Sequence, residues 1–578
     1  MHVRFLVGFS LIVAGCAPAA VPAGPAPLNV SVDRLLDSLP LRDRIAQLVV
    51  PWIAGSYSAF DEAAFTRAVM WVDSLHVGGV IISIGSPLDV AARLNHLQER
   101  SPLPLIVASD LESGTTFRLV GGTPFPPNMG VGASGKELDA YEVGRVTAIE
   151  GRAVGIHLTF APVADVNNNP ANPIINTRSF GEDPHAVARL VSAAVRGIQE
   201  HGMLATAKHF PGHGDTGTDS HIALPVITAP WARFDTLELV PFRAAIAAGV
   251  TAVMSAHIAL PGLDSGRTRP GTVERGILTG VLRDSLGFRG LTVTDALNMG
   301  ALVSSFGPAE APVLAFEAGA DMLLQPADPA VTIDAMERAV RSGRISEARL
   351  NQSVRRILAL KQKLGLFRRR LVSLDSVPDV VGRAEFMASA REVAAHSIVL
   401  ARDSAGVVDS LRAAPRTLTV VAYGDESSPA AGSALTAELR ARGHRVTQLR
   451  LTPASGPMSY DSVRAVLAAS PTVVFAVAIR AAAARGTIGM PAPLAVLIDS
   501  TASARPTVLV SLGSPYIASQ TSHVGSYLLA WAANALSEQA AARALSGDAI
   551  TGRLPVRVPP DQPVGAGLDR PAVNHPAP

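Results

Sequence analysis

The chain has 578 residues and a mass of 59.9 kDa, long enough for two to four domains with cores of their own. With 48% hydrophobic and 17% charged residues, and Gly 49 and Pro 43 spread along it, the composition excludes a mainly disordered, collagenous or coiled-coil protein. Lys+Arg 50 against Asp+Glu 48 leaves a formal charge of +2, too balanced for a nucleic-acid partner, and one cysteine excludes an intramolecular disulfide or a multi-cysteine zinc cluster.

The chain opens MHVRFLVGFSLIVAGC: Arg4 supplies a positive end, Phe5 to Val13 an apolar run, and Val13, Ala14 and Gly15 small residues before Cys16. The run is too short to span a bilayer as a mature helix. It resembles a bacterial lipoprotein signal, in which the cysteine after the cleavage point is lipidated, and Cys16 is the only cysteine of the chain. A general secretory signal cut nearby is the alternative. Residues 1–16 are therefore expected to address the protein to the cell envelope, with the membrane reached through the lipid alone. Residues 17–30, rich in Pro and Ala, are expected to form an extended tether.

Over 31–372, short apolar runs alternate with helical patterns. The runs are Gln47–Val50, Gly79–Ile84, Leu105–Ala108, Leu158–Val163, Leu204–Ala207, Thr251–Ser255, Leu291–Thr294 and Met322–Leu324. Amphipathic stretches such as Asp139–Val154, Ala186–Glu200 and Val331–Arg341 lie between them. Eight strands joined by helices predict a (β/α)8 TIM-type barrel, with an open doubly wound sheet as the competing architecture. Beyond a break near Val377-Pro378, a helix with Arg391 and His396 leads to further apolar runs: Leu418–Ala422, Val446–Leu451, Thr472–Ala478, Val508–Leu512 and Tyr527–Trp531. Residues 373–558 thus predict a smaller doubly wound α/β sandwich domain. The Pro-rich stretch 559–578 is expected to be a disordered tail.

In a parallel barrel, chemistry gathers where strands end. Asp110, Asp165, Lys208 with His209, His257 and Asp295 each follow an apolar run. Any one could simply cap a helix or hold a loop; five on one rim are harder to explain that way. The densest stretch is Lys208–His221, KHFPGHGDTGTDSH. There Asp219 stands two residues before His221, close enough to orient an imidazole and favour its protonated form. A glycosidic bond is broken by protonating the leaving oxygen on one side and supplying a nucleophile or water on the other. His221 and Asp295 are candidates for those two tasks. His209, His213, Asp215, Asp219, His221 and His257 also include enough N and O donors for a metal-dependent barrel hydrolase. A third reading is a non-catalytic sugar-binding lipoprotein.

These segments resemble glycoside hydrolase family 3, in particular its bacterial β-N-acetylglucosaminidase (β-N-acetylhexosaminidase) branch in a two-domain lipoprotein form. The likeness is carried by KHFPGHGD…DSH together with FAPVADVN (160–167), TRSFGEDP (177–184), MSAHI (254–258) and TDALNM (294–299). It implies a retaining, exo-acting enzyme that removes terminal N-acetylglucosamine from peptidoglycan fragments or chitin-type oligosaccharides and needs no cofactor. It further implies Asp295 as nucleophile, His221 as general acid/base assisted by Asp219, and Asp110, Arg118, Arg178, Lys208 and His209 as ligands of the sugar. The family's DQEGGRVxR segment departs here to DLESGTTFR, which keeps Asp110 and Arg118 but leaves substrate choice open, with a β-glucosidase as the nearest alternative. His213, Asp215 and His257 are expected to shape the loop and rim, Asp165 to organise a loop, and the second domain mainly to pack. Nothing in the sequence fixes an oligomeric state.

Overall fold

The computed structural model describes residues 31–56, 62–220, 222–263, 266–481 and 488–573. The signal, the tether with Cys16, and His221 lie outside the described residues.

The first unit is a ring of parallel strands. β1 (Val49–Val50) and β2 (Trp52–Ala54) are two halves of one strand interrupted at Pro51. Then come β3 (Gly79–Ser83), β4 (Ile106–Ser109), β5 (Leu158–Thr159), β6 (Leu204–Phe210), β7 (Ala252–Ser255), β8 (Leu291–Val293) and β9 (Leu323–Leu324). β2 to β8 pair in chain order. The ring closes through a parallel bridge from Val293 to Met322 and through β9 beside β1, with Val49 opposite Leu323. This is the eight-fold barrel expected, and every one of the eight apolar runs contributes to it. Almost every strand position is buried, because the inner face meets the barrel core and the outer face meets the helices.

The helices form where the amphipathic stretches lie, and their starts are chemically marked. Asp183 caps Pro184–Glu200 by accepting the N–H groups of His185 (2.8 Å) and Ala186 (2.9 Å). Asp328 does the same for Pro329–Arg341 at Ala330 and Val331. In both, proline occupies the first turn, where its missing N–H costs nothing.

The second unit is a six-stranded sheet: β10 (Val399–Asp403), β11 (Thr417–Tyr423), β12 (Arg445–Leu451), β13 (Val473–Val477), β14 (Thr507–Ser511) and β15 (Ser526–Leu529), in the order β10-β15-β14-β13-β11-β12. Five strands match the predicted runs. β10 is additional, an antiparallel edge on β15 that follows a helix directly without a turn signal.

The disorder expected over 559–578 is not found in its described part, residues 559–573. Val558 bridges to Gln562 and Ile550 to Arg570, Leu568 donates to the Leu400 carbonyl, and Arg570 pairs with Asp409. The proline-rich segment is a strap laid on the edge strand: proline lacks a backbone donor, but its neighbours supply enough donors to hold it.

The two units are joined by polar contacts, one buried and one at the surface. Asn167 Nδ2 donates to the Tyr516 hydroxyl at 2.9 Å, and the Glu182 carboxylate receives both Nε and the backbone N–H of Arg557, each at 2.9 Å. These contacts turn the C-terminal ends of the second sheet's central strands towards the barrel rim.

Candidate active site

A cavity of about 440 Å³ opens at the C-terminal ends of the barrel strands. Asp110, one residue beyond β4, enters it from the side and Asp295, two beyond β8, from across the ring. Lys208 and His209 come from the end of β6, and Arg178 from the short 3-10 turn Asn176–Arg178. Trp52, Phe117 and Phe160 give it apolar walls.

The polar groups form one connected cluster. Lys208 Nζ donates to Asp110 Oδ1 at 2.8 Å and lies 2.7 Å from Glu112 Oε1. Arg178 grips Glu112 with two parallel bonds, Nε to Oε2 at 2.9 Å and Nη2 to Oε1 at 2.8 Å. Arg118 Nη2 donates to Asp110 Oδ2 at 3.0 Å, with its guanidinium stacked 4.7 Å above the Phe117 ring. Burial works against the charges of Asp110, Glu112, Lys208 and Arg178. Even so, Arg178 and Lys208 hold Glu112 far below the usual carboxylate range, and Lys208 with Arg118 holds Asp110 down. The carboxylates in turn push Lys208 and Arg178 up. Asp110, Glu112, Lys208 and Arg178 thus hold one another in their charged forms.

His209 is fixed from both sides. Its Nδ1 faces Asp165 Oδ2 at 2.7 Å and its Nε2 lies 3.3 Å from Arg178 Nη2. A guanidinium can only donate, so Nε2 accepts and the ring proton sits on Nδ1, towards the carboxylate. Asp165 also accepts the backbone N–H groups of His209 and His213; it ties the start of the Lys208–His221 loop to the barrel. Gly214 permits this path, since a Cβ there would collide with the Val166 carbonyl. His213 is buried between Thr216 (Nδ1, 2.7 Å) and Ser220 (Nε2, 3.1 Å), and burial together with His209 pushes its pKa down to about 4. Asp215 pairs with Arg233 at 2.8 Å on the outer side of the loop.

Asp295 stands across the cavity from this cluster. Its Oδ1 accepts the N–H of Ala296 at 2.7 Å. Burial would raise its pKa, but the His257 and His209 side chains, that N–H and Lys208 outweigh it and hold the carboxyl at about 2. His257 steadies the same turn: Nε2 donates to the Ala296 carbonyl at 2.9 Å while Nδ1 meets Thr272 Oγ1 at 2.8 Å. Asp219 is buried, and Ser220 beside it lines the cavity.

The structure thus brings Asp295, Asp110, Arg118, Arg178, Lys208 and His209 to one cavity, while Asp219 is not among the residues that line it. Three contributors were not singled out from sequence. Glu112 lies in the DLESGTTFR segment, and its alternation with Asp110 was the available signal. Trp52 sits next to the Pro51 break, where no polar residue drew notice. Arg480 projects into the cavity from just beyond β13 of the second sheet, where a sequence offers no sign of inter-unit contact. Among the described residues, no group of three or more His, Cys, Asp or Glu side chains is arranged to hold a metal. The rings of His209 and His213 are already engaged at both nitrogens.

Residues 40–360 match the model of the glycosyl hydrolase family 3 N-terminal domain. The chain belongs to glycosyl hydrolase family 3. Within the family it is 39% identical over 347 residues to a β-N-acetylglucosaminidase/β-glucosidase of Cellulomonas fimi, covering 58% of this chain and 61% of that protein. It is 32% identical over 374 residues to the β-hexosaminidase LpqI of Mycobacterium tuberculosis, covering 61% and 91%. The chain spans about three-fifths of the length of the Cellulomonas relative, and about half that of a β-hexosaminidase A from Pseudoalteromonas piscicida. Among solved structures, a family 3 β-N-acetylglucosaminidase from Paenibacillus sp. superposes with a TM-score of 0.81 at 32% identity, covering 90% of this chain and 99% of that one.

Proposed function

We propose that this family 3 protein is an exo-acting, retaining β-N-acetylhexosaminidase. It would release terminal N-acetylglucosamine from peptidoglycan fragments or chitin-type oligosaccharides. The observation that carries this reading is an ionised Asp295 facing, across one cavity, a cluster of donors and acceptors suited to sugar hydroxyls. The named relatives above support the acetamido sugar.

In this mechanism a carboxylate oxygen of Asp295 attacks the anomeric carbon, and the glycosidic C–O bond breaks. His221, steadied by Asp219, protonates the departing oxygen. His221 then takes a proton from water as the water attacks the same carbon, and Asp295 leaves as carboxylate. Asp110, Arg118, Arg178, Lys208 and His209 orient the sugar throughout. Residues 1–16 would carry the chain to the envelope, where lipid on Cys16 would hold it.

The test is a pair of measurements on wild type. The rate on aryl β-N-acetylglucosaminide should exceed that on aryl β-glucoside, and NMR of the first turnover should show the β-anomer. Trapping with a fluorinated substrate should place the sugar on Asp295 by mass spectrometry. Initial release of the α-anomer, or an adduct elsewhere, contradicts the mechanism; a preference for glucose contradicts the specificity. His221→Ala should lose about 10²–10⁴-fold on natural oligosaccharides and far less on substrates with activated leaving groups.

A further inference from the structure

At the opposite end of the barrel, where the strands begin, lies a second cavity of about 640 Å³. His157, the residue before β5, marks its place. Arg152 from the last turn of the helix Glu137–Ala153 reaches it, as do Phe367, Arg368, Arg369 and Arg370 from the segment after the final barrel helix Glu347–Lys363.

The charge here is one-sided. Among the described residues, none of these four arginines forms an ion pair with a carboxylate, and Arg152 Nη1 is buried without a hydrogen-bond partner. Arg370 reaches only the Ser101 carbonyl, at 2.8 Å. His157 adds no charge, since its Nδ1 accepts the Val107 N–H at 3.1 Å and burial keeps the ring neutral. Behind it the fully buried Lys361 donates to an amide oxygen, Gln47 Oε1, at 2.6 Å. Burial and the nearby Arg369 both disfavour the Arg152 charge.

Elsewhere this barrel pairs its enclosed arginines with acids. Arg178 has Glu112, and Arg283, Arg349 and Arg356 converge on the buried Asp321. Arg152 is the half-buried one here; its guanidinium without a counter-charge raises the free energy of the fold, and an anion entering between it and the more exposed Arg369 lowers it. The guanidinium fork matches phosphate oxygens, and the volume is that of a small-molecule site.

We propose that this cavity binds the phosphate group of a larger molecule, with Arg152 and Arg369 as its principal contacts and Phe367 against the organic part. The same chemistry is offered by a phospholipid headgroup and by a soluble organic phosphate. The proposal does not depend on the glycosidase reading, because the cavity is on the face of the barrel away from Asp295.

The test uses the full chain carrying Cys16→Ser, so that no lipid anchor contributes. Glycerol phosphate is titrated against sodium chloride of equal ionic strength, with thermal unfolding and calorimetry as readouts. Co-sedimentation is measured with phosphatidylglycerol vesicles and with phosphatidylcholine vesicles. Binding of glycerol phosphate, weakened about tenfold by Arg369→Gln and by Arg152→Met as for loss of one charge-assisted bond, supports a soluble ligand. Co-sedimentation with phosphatidylglycerol that either substitution reduces to the same extent supports a headgroup. Failure of both probes to bind wild type, or binding unchanged in both variants, overturns the proposal. Arg369 is exposed, so its substitution does not threaten folding, and Arg152→Met should melt no lower than the parent in ligand-free buffer.

Discussion

Lys208 Nζ lies 2.7 Å from Glu112 Oε1, and both side chains are almost wholly withdrawn from water, at 2% and 3% exposure. Arg178 holds the other side of the same carboxylate. Glu112 is thus the counter-charge for two cations of the cavity's polar cluster. Glu112→Gln should cost about 3–5 kcal/mol of stability, the usual loss when one member of a buried pair is removed. It should also raise KM more than it lowers kcat, because it disturbs orientation. Urea unfolding and steady-state kinetics on the same preparation check both.

Asp295 is expected to be ionised through the whole working range. Asp295→Asn should lower turnover by at least about 10³-fold, on the scale of losing a covalent nucleophile. Its folded pKa of about 2 lies below its unfolded value. The stability it contributes is therefore complete above about pH 4 and is lost as pH falls towards 2. At pH 3 the wild type should take up about 0.8 of a proton more on unfolding than Asp295→Asn does. Equal slopes of stability against pH would contradict the assignment.

Lys361 has the opposite sense. Burial lowers its pKa to about 7, so the unfolded chain binds more protons than the folded one between about pH 7 and 10.4, and stability rises across that window. Lys361→Met should be most favourable below pH 7. It should lose about 4–5 kcal/mol of that relative benefit by pH 10.5, where the folded amine is neutral and the unfolded one is about half protonated. Denaturant midpoints at the two pH values measure the difference.

Arg480 comes to the cavity from the second unit, and its Nε lies 3.1 Å from Ser427 Oγ. From there it would meet the part of an oligosaccharide beyond the terminal sugar. Arg480→Ala should raise KM several-fold for oligosaccharides while leaving hydrolysis of aryl glycosides within about twofold, since one exposed charged contact contributes about 1 kcal/mol. A uniform loss on both substrates would place its role elsewhere.

The barrel was legible because each strand is buried on both faces and reads as a continuous apolar run, so position in the chain fixed position in the ring. The strand-end rule then located Asp110, Asp165, Lys208 and Asp295 without any contact being known. β10 escaped because SIVLARD follows its helix with no Gly or Pro between them. The strap over 558–573 escaped because proline content signals a lack of donors but says nothing of neighbours that hold the segment down. Glu112 and Arg480 escaped for another reason: their roles are set by partners more than 50 residues away, and no local pattern records such pairings. Asp219 and His221 rest on motif alone, as His221 lies outside the described residues.

The clasp between Glu182 and Arg557 spans 375 positions of chain. At ribosomal speeds of about 5–20 residues per second, the first half waits roughly 20–75 s for the arginine that completes it. During that interval the loop bearing Asn167 and Glu182 lacks its partners, exposed to proteases and to premature association. Any helper that attends this polypeptide has its work concentrated in that gap, before Arg557 arrives.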